Sequence, residues 1–124
     1  MEKVLIVDDA AFMRLSLRTL LETNGYQVVG EAENGTMAIR RYIEYKPDIV
    51  TMDITMPGCT GIEALKEILK IDPKANVIMI SAMGQERLVR DSIIAGAQSF
   101  IVKPYNEEPV LKTIKQIVER EIIV

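Results

Sequence analysis

The stretch VLIVDDAAFMR, residues 4–14, opens with four consecutive apolar, largely β-branched side chains and stops at two carboxylates, Asp8 and Asp9. A strand with one face in water alternates apolar and polar residues, whereas an unbroken apolar run of this length suits a strand covered on both faces, as in a parallel sheet. The pattern recurs. Ile49 to Met52 runs into Asp53, Val77 to Ile80 into Ser81, and Phe100 to Val102 into Lys103 and Pro104. Between these runs apolar residues fall at helical spacing: Met13, Leu17, Leu20 and Leu21; Ile39, Tyr42 and Ile43; Ile62, Leu65 and Leu69; Val89, Ser92 and Ile93; Val110, Ile114, Ile117 and Val118. Asn24-Gly25 is a helix stop, and residues 26–33 then read as a weaker, half-polar strand of the kind found at a sheet edge.

Five strands alternating strictly with five helices across short connections require right-handed crossovers with helices on both faces of the sheet. The expected fold is a doubly wound (βα)5 α/β sandwich. Its 124 residues are enough for one core of ordinary depth, and residues 1–124 read as a single domain. In such sheets ligands bind beyond the carboxyl ends of the strands, which directs attention to residues 8–10, 53–61, 81–85 and 103–106.

Composition narrows the chemistry available there. The chain contains no histidine, which excludes Ser-His-Asp and Cys-His nucleophiles and imidazole metal sites. Fifteen Lys and Arg against 18 Asp and Glu give a net charge of −3, without the basic excess of a nucleic-acid surface. One cysteine, Cys59, makes no internal disulfide, and neither a signal peptide nor a membrane-spanning run is visible, so a cytoplasmic location is expected.

Taken alone, Asp8-Asp9 is a serviceable helix cap, Ser81 a plain strand-end serine and Lys103 a solvated side chain. Gathered at one sheet edge, three carboxylates raise one another's pKa values unless a cation intervenes, and an oxygen-only donor set suits Mg²⁺. An aspartate beside Mg²⁺ and an ammonium can act as a nucleophile toward phosphorus, forming an acyl phosphate. The metal and Lys103 would neutralise charge on the phosphoryl oxygens, and the Ser81 hydroxyl could add a hydrogen bond.

The runs VLIVDDAAFMR (4–14), PDIVTMDITMPGCTG (47–61), VIMISAMG (77–84) and AGAQSFIVKPY (95–105) resemble the response regulator receiver domain of two-component signalling, most closely the stand-alone chemotaxis receivers of the CheY type. The likeness covers essentially the whole chain and implies the strand order 2-1-3-4-5 of the flavodoxin-like fold, which is taken from the family. It implies that Asp53 is the phosphoacceptor, that Asp9 binds Mg²⁺ directly and Asp8 through water, and that the backbone carbonyl of Thr55 is a further ligand. It assigns Ser81 as the switch hydroxyl and Lys103 as the conserved-type lysine, with a cis bond before Pro104. Phe100 takes the aromatic switch position, where the CheY prototype has Tyr, so the ring can swing inward behind Ser81 but makes no phenolic hydrogen bond. Thr55 and Met83 flank the phosphoryl position, and neither brings a carboxamide or carboxylate to guide a hydrolytic water.

The partners implied are a CheA-like histidine kinase as phosphodonor, a downstream motor or signalling protein, and a phosphatase, with neither nucleic acid nor membrane among them. A sporulation-type phosphorelay intermediate is the alternative within the class. A Mg²⁺-dependent phosphatase with an Asp nucleophile normally wants a second carboxylate where Thr55 stands, and a flavin carrier would need a phosphate-binding loop where Asp8-Asp9 stands.

Among the other residues, Met52, Met56, Met79 and Met83 read as core filling. Met56-Pro57-Gly58 with Gly61 reads as a tight loop whose glycines supply unusual backbone angles. Cys59 is expected to be exposed on that loop. Phe12 and Leu15 fall opposite the apolar stripe of the first helix and are expected on the surface beside Asp9, where a phosphodonor would dock. Ile122, Ile123 and Val124 suggest a cover for the core or a dimer contact.

Overall fold

A computed structural model describes residues 2–123, with side chains through Arg120. The side chains of Ile122, Ile123 and Val124 lie outside the described residues. Ten elements alternate: β1 (Lys3–Val7), α1 (Ala11–Thr23), β2 (Gln27–Ala32), α2 (Gly35–Tyr45), β3 (Ile49–Asp53), α3 (Gly61–Ile71), β4 (Val77–Ala82), α4 (Glu86–Ala95), β5 (Ser99–Lys103) and α5 (Glu107–Ile123). The strands form one parallel sheet in the order β2-β1-β3-β4-β5. The half-polar strand is at an edge, as its composition requires.

Alternate residues of the strands feed two separate cores. Leu5, Val7, Val50, Met52, Val77 and Met79 pack with α2, α3 and α4. Val4, Ile6, Ile49, Ile78, Ile80 and Ile101 pack with α1 and α5 through Leu17, Leu21, Val110, Ile114 and Ile117. The central strands β1 and β3 are therefore apolar on both faces, which is why their sequences do not alternate.

Local chemistry fixes the helix ends that bear on the sheet edge. Asn34 accepts a hydrogen bond from the Met37 N–H and starts α2. Thr60 and Glu63 form a reciprocal capping box at the start of α3, each side chain taking the other's backbone N–H. Asn24 and Gly25, the latter at φ +88°, end α1 where the sequence places a stop.

Several expectations about faces need correction. Phe100 and Val102 are exposed on one face of β5, which is a sheet edge and not a strand covered on both sides. On α2 the buried residues are Ala38 and Tyr42 while Ile43 is exposed, and on α4 only Ser92 is fully buried while Ile93 is exposed. In both helices small or polar residues take the most deeply buried positions, while Ile39 of α2 and Leu88 and Val89 of α4 pack partly buried against the same core. The Ser92 hydroxyl is satisfied by the Leu88 carbonyl at 2.8 Å, and that of Tyr42 donates to Asp72 at 2.8 Å. Met52, Met56 and Met79 are buried as expected, but Met83 lies exposed on the loop after β4. One buried side-chain oxygen among the described residues lacks a partner, that of Thr51 in the middle of β3, and nothing in the structure explains a hydroxyl there in place of a methyl.

Candidate functional site

The strand order reverses direction between β1 and β3, since β1 leads outward to β2 and the chain then returns to β3 on the other side. The connections after β1 and β3 diverge at that point and leave a crevice at the carboxyl ends of the strands. Asp8 directly follows β1, Asp53 is the last residue of β3, Ser81 is the penultimate residue of β4 and Lys103 is the last of β5. Parallel register does the rest. Asp53 is opposite Ile80, so Ser81 is one residue further along, and Ala82 is opposite Lys103.

Asp8, Asp9 and Asp53 each offer a carboxylate oxygen, and these oxygens lie within 4.8 Å of one another. Asp8 and Asp53 are buried and Asp9 is exposed. The Lys103 ammonium reaches across to Asp8 Oδ2 at 3.0 Å and Asp53 Oδ2 at 3.6 Å. Asp53 Oδ1 accepts the Thr55 N–H at 3.3 Å. Hydrogen bonds join Lys103 to Asp8 and Thr55 to Asp53, and the Lys103–Asp53 ion pair links the two. Ser81 is buried at the rim and is not among them. The acidic pair does not cap α1: the residue before that helix is Ala10, without a side-chain cap, and Asp8 Oδ1 instead accepts the Ala10 N–H at 2.9 Å. The Lys103-Pro104 bond is cis.

Burial pushes the Asp53 carboxyl up to about 6 from its ordinary 3.8. Lys103 and the Thr55 N–H oppose the rise, while the charges of Asp8 and Asp9 add to it. Burial alone pulls the Lys103 ammonium down, but its hydrogen bond to Asp8 and the charges of Asp53 and Asp8 outweigh that and leave it raised. Three carboxylates around one ammonium are under-neutralised, and the donors they present are oxygens only. That set fits a hard divalent cation of the Mg²⁺ type.

The loop from β3 to α3 is held close to Asp53 by glycine for two different reasons. Gly58 has φ +73°, the left-handed conformation anticipated for it. Gly61 does not; its role is close approach, because a Cβ there would run into the carbonyl oxygen of Asp53 and meet the Ile54 Cα at 2.8 Å. Gly61→Ala is expected to lower stability by about 1–3 kcal/mol, since a backbone obstacle cannot rotate away. A urea midpoint equal to that of the wild type would contradict this. Cys59 on the same loop is half-buried and not exposed, because it packs against Gly35 at the start of α2, where a side chain would collide with it. Burial and the charges of Glu63 and Glu67 raise its thiol pKa, the opposite of a reactive cysteine.

Two supports for the site escaped the motif reading. Arg14, one turn into α1, donates to the Asp8 carbonyl at 2.7 Å and pairs with Glu31 of β2 at 3.0 Å, fixing the loop that presents the acidic pair. Gln85 donates to the Thr55 hydroxyl at 2.7 Å and accepts the Ala82 N–H at 2.6 Å. A carboxamide therefore contacts the Thr55 side chain, from a position that the flanking residues Thr55 and Met83 do not indicate.

The response regulator receiver domain family matches residues 4–115. This chain belongs to that family. The receiver is 54% identical over 116 residues to the chemotaxis protein CheY of Thermotoga maritima, covering 94% of this chain and 97% of that protein. It is 56% identical over 114 residues to the chemotaxis protein CheY of Bacillus subtilis, covering 92% and 95%. Among solved structures it superposes with a TM-score of 0.90 and 41% identity on a chain of the CheX-CheY-BeF3-Mg²⁺ complex from Borrelia burgdorferi, covering 94% of this chain and 89% of that one. It is thus a CheY-type receiver domain of two-component signalling, a signalling protein and not a classical enzyme. The flavodoxin-like sheet expected from the sequence is the one observed. No helix among the described residues is long and apolar enough to cross a membrane.

Proposed function

We propose that this receiver takes a phosphoryl group from a phosphohistidine of a CheA-like kinase onto Asp53 and signals by binding a partner protein, in chemotaxis. The observation that carries the reading is the convergence of Asp8, Asp9 and Asp53 on one point with the Lys103 ammonium between two of them. Chemotaxis is supported by likeness to the CheY proteins of two bacteria.

Chemically, an Asp53 oxygen attacks phosphorus, an O–P bond forms, and the N–P bond to the donor imidazole breaks as that ring leaves with a proton. Mg²⁺, held by Asp9 and Asp53, by the Thr55 carbonyl and by Asp8 through water, would supply charge neutralisation to the phosphoryl oxygens. Lys103 holds Asp8 and Asp53 in place and adds a second positive charge on the same side. Once phosphorylated, Asp53 presents oxygens that the Ser81 hydroxyl can bind in only one loop arrangement, and the population shifts toward it. Phe100 is exposed beside Ser81, along a cleft of about 400 Å³ that it lines with Met83, Val89 and Val102. An inward swing of the ring would reshape that face for a downstream motor or signalling protein. A phosphatase partner would reset the switch. Thr55 offers no acid or base at the place where an aspartate-nucleophile phosphatase needs one, and its hydroxyl is already held by Gln85.

Phe12 and Leu15 are 77% and 61% exposed on α1, close in sequence to Asp9, and give the phosphodonor an apolar place to dock. Replacing both by alanine should slow phosphotransfer from the kinase by about tenfold, the scale of a lost interface anchor. Labelling by acetyl phosphate, which needs no docking, should stay unchanged. Equal loss in both assays, or in neither, would refute the docking role.

A further inference from the structure

The residue before α4, Gln85, does not cap its helix. Its side chain turns back and sideways, accepting the Ala82 N–H at 2.6 Å and donating to the Thr55 hydroxyl at 2.7 Å. The orientation of the carboxamide is fixed by chemistry: a backbone N–H can only donate, so Oε1 must face Ala82 and the NH2 group must face Thr55. Gly84, at φ +88° with open space around it, makes the turn that folds Gln85 back over the strand end. The bridge thus joins the β4–α4 loop to the β3–α3 loop, which follows directly on Asp53. Met83 and Gly84 are exposed, and α4 buries only Ser92 completely.

Ser81 is covalently next to Ala82, so a shift of the end of β4 that carries the Ser81 backbone toward a phosphoryl group on Asp53 also displaces the Ala82 N–H that Gln85 accepts, whereas rotation of the Ser81 side chain alone does not. We propose that Gln85 is a positioning residue of the switch, a latch whose two hydrogen bonds favour the unphosphorylated loop arrangement and must break for the phosphorylated one. The proposal rests on Asp53 being the phosphoacceptor. A contact made in only one of two states biases the equilibrium by its own free energy. Its removal should favour the phosphorylated arrangement by about three- to tenfold, the worth of one or two partly exposed hydrogen bonds.

The test is calorimetric titration of wild type, Gln85→Ala, Thr55→Val and the double variant with beryllofluoride, a phosphoryl mimic, in the presence of Mg²⁺. The latch predicts about three- to tenfold tighter binding in each single variant and no further gain in the double, because both substitutions cut the same bridge. Urea midpoints without Mg²⁺ accompany the titrations, since a merely structural role would lower these and leave beryllofluoride affinity unchanged or weaker. Wild-type affinity in Gln85→Ala, or independent additive effects of the two substitutions, would overturn the latch while leaving Asp53 as acceptor. Absence of any beryllofluoride complex in the wild type would instead remove the phosphoacceptor reading, and the latch with it.

Discussion

Asp53→Asn is expected to abolish labelling by acetyl phosphate and, in the same protein, to make the metal-free fold more stable at neutral pH. The two effects have one origin. Burial and the neighbouring Asp8 and Asp9 raise the Asp53 pKa from 3.8 to about 6 despite Lys103. A carboxyl whose folded pKa exceeds its unfolded value holds its proton more tightly when folded, so its ionised form costs stability above pH about 6. That cost shrinks as the pH falls through the window between about 6 and about 4, and is absent below it. An amide is neutral throughout, so Asp53→Asn should gain roughly 1–3 kcal/mol at pH above about 7 and nothing below about 4. Urea unfolding in EDTA at several pH values checks this. A variant that loses labelling and is also destabilised at pH above about 7 would mean that Asp53 matters through packing, and the electrostatic account would be wrong.

Asp9→Asn should weaken Mg²⁺ binding by on the order of 10- to 100-fold and reduce labelling correspondingly at limiting metal. Asp9 is the exposed member of the acidic cluster, so it can be neutralised with little packing cost. The substitution removes one of the charges that raise Asp53, so the Asp53 pKa should fall at the same time. In the wild type, protons and metal compete for Asp53, and Mg²⁺ affinity should weaken as the pH is lowered through about 6. Metal binding to the folded state alone also raises stability by mass action. Addition of Mg²⁺ at pH above about 7 should therefore raise the wild-type melting temperature more than that of Asp9→Asn. Equal Mg²⁺ responses in the two proteins would remove Asp9 from the metal site.

The sheet and the site's carboxylates were legible because both obey one-dimensional rules. Buried parallel strands leave apolar runs, and the residues that end those runs must lie at one edge. The 2-1-3-4-5 order came from family resemblance, since alternation alone does not say which strands are neighbours. Faces were less legible. Ile43 and Ile93 follow helical spacing yet are exposed, while Ala38 and Ser92 take the fully buried positions of the same helices. Gly61 reads as a turn residue, but its reason is the Asp53 carbonyl, a neighbour eight positions away. Gln85 and Arg14 were missed because their partners are Thr55 and Glu31, distant in sequence, and no spacing rule connects them. The signal that could have found Gln85 was negative: the residue before α4 is not a good helix cap, which frees its side chain for other work.

The most direct test is the intact mass of the wild-type protein, followed by peptide mapping, after acetyl phosphate with Mg²⁺ and again with EDTA. One added phosphoryl group on Asp53, present with Mg²⁺ and absent with EDTA or in Asp53→Asn, is the predicted result. No adduct, or an adduct that persists in Asp53→Asn, would contradict Asp53 as the phosphoacceptor.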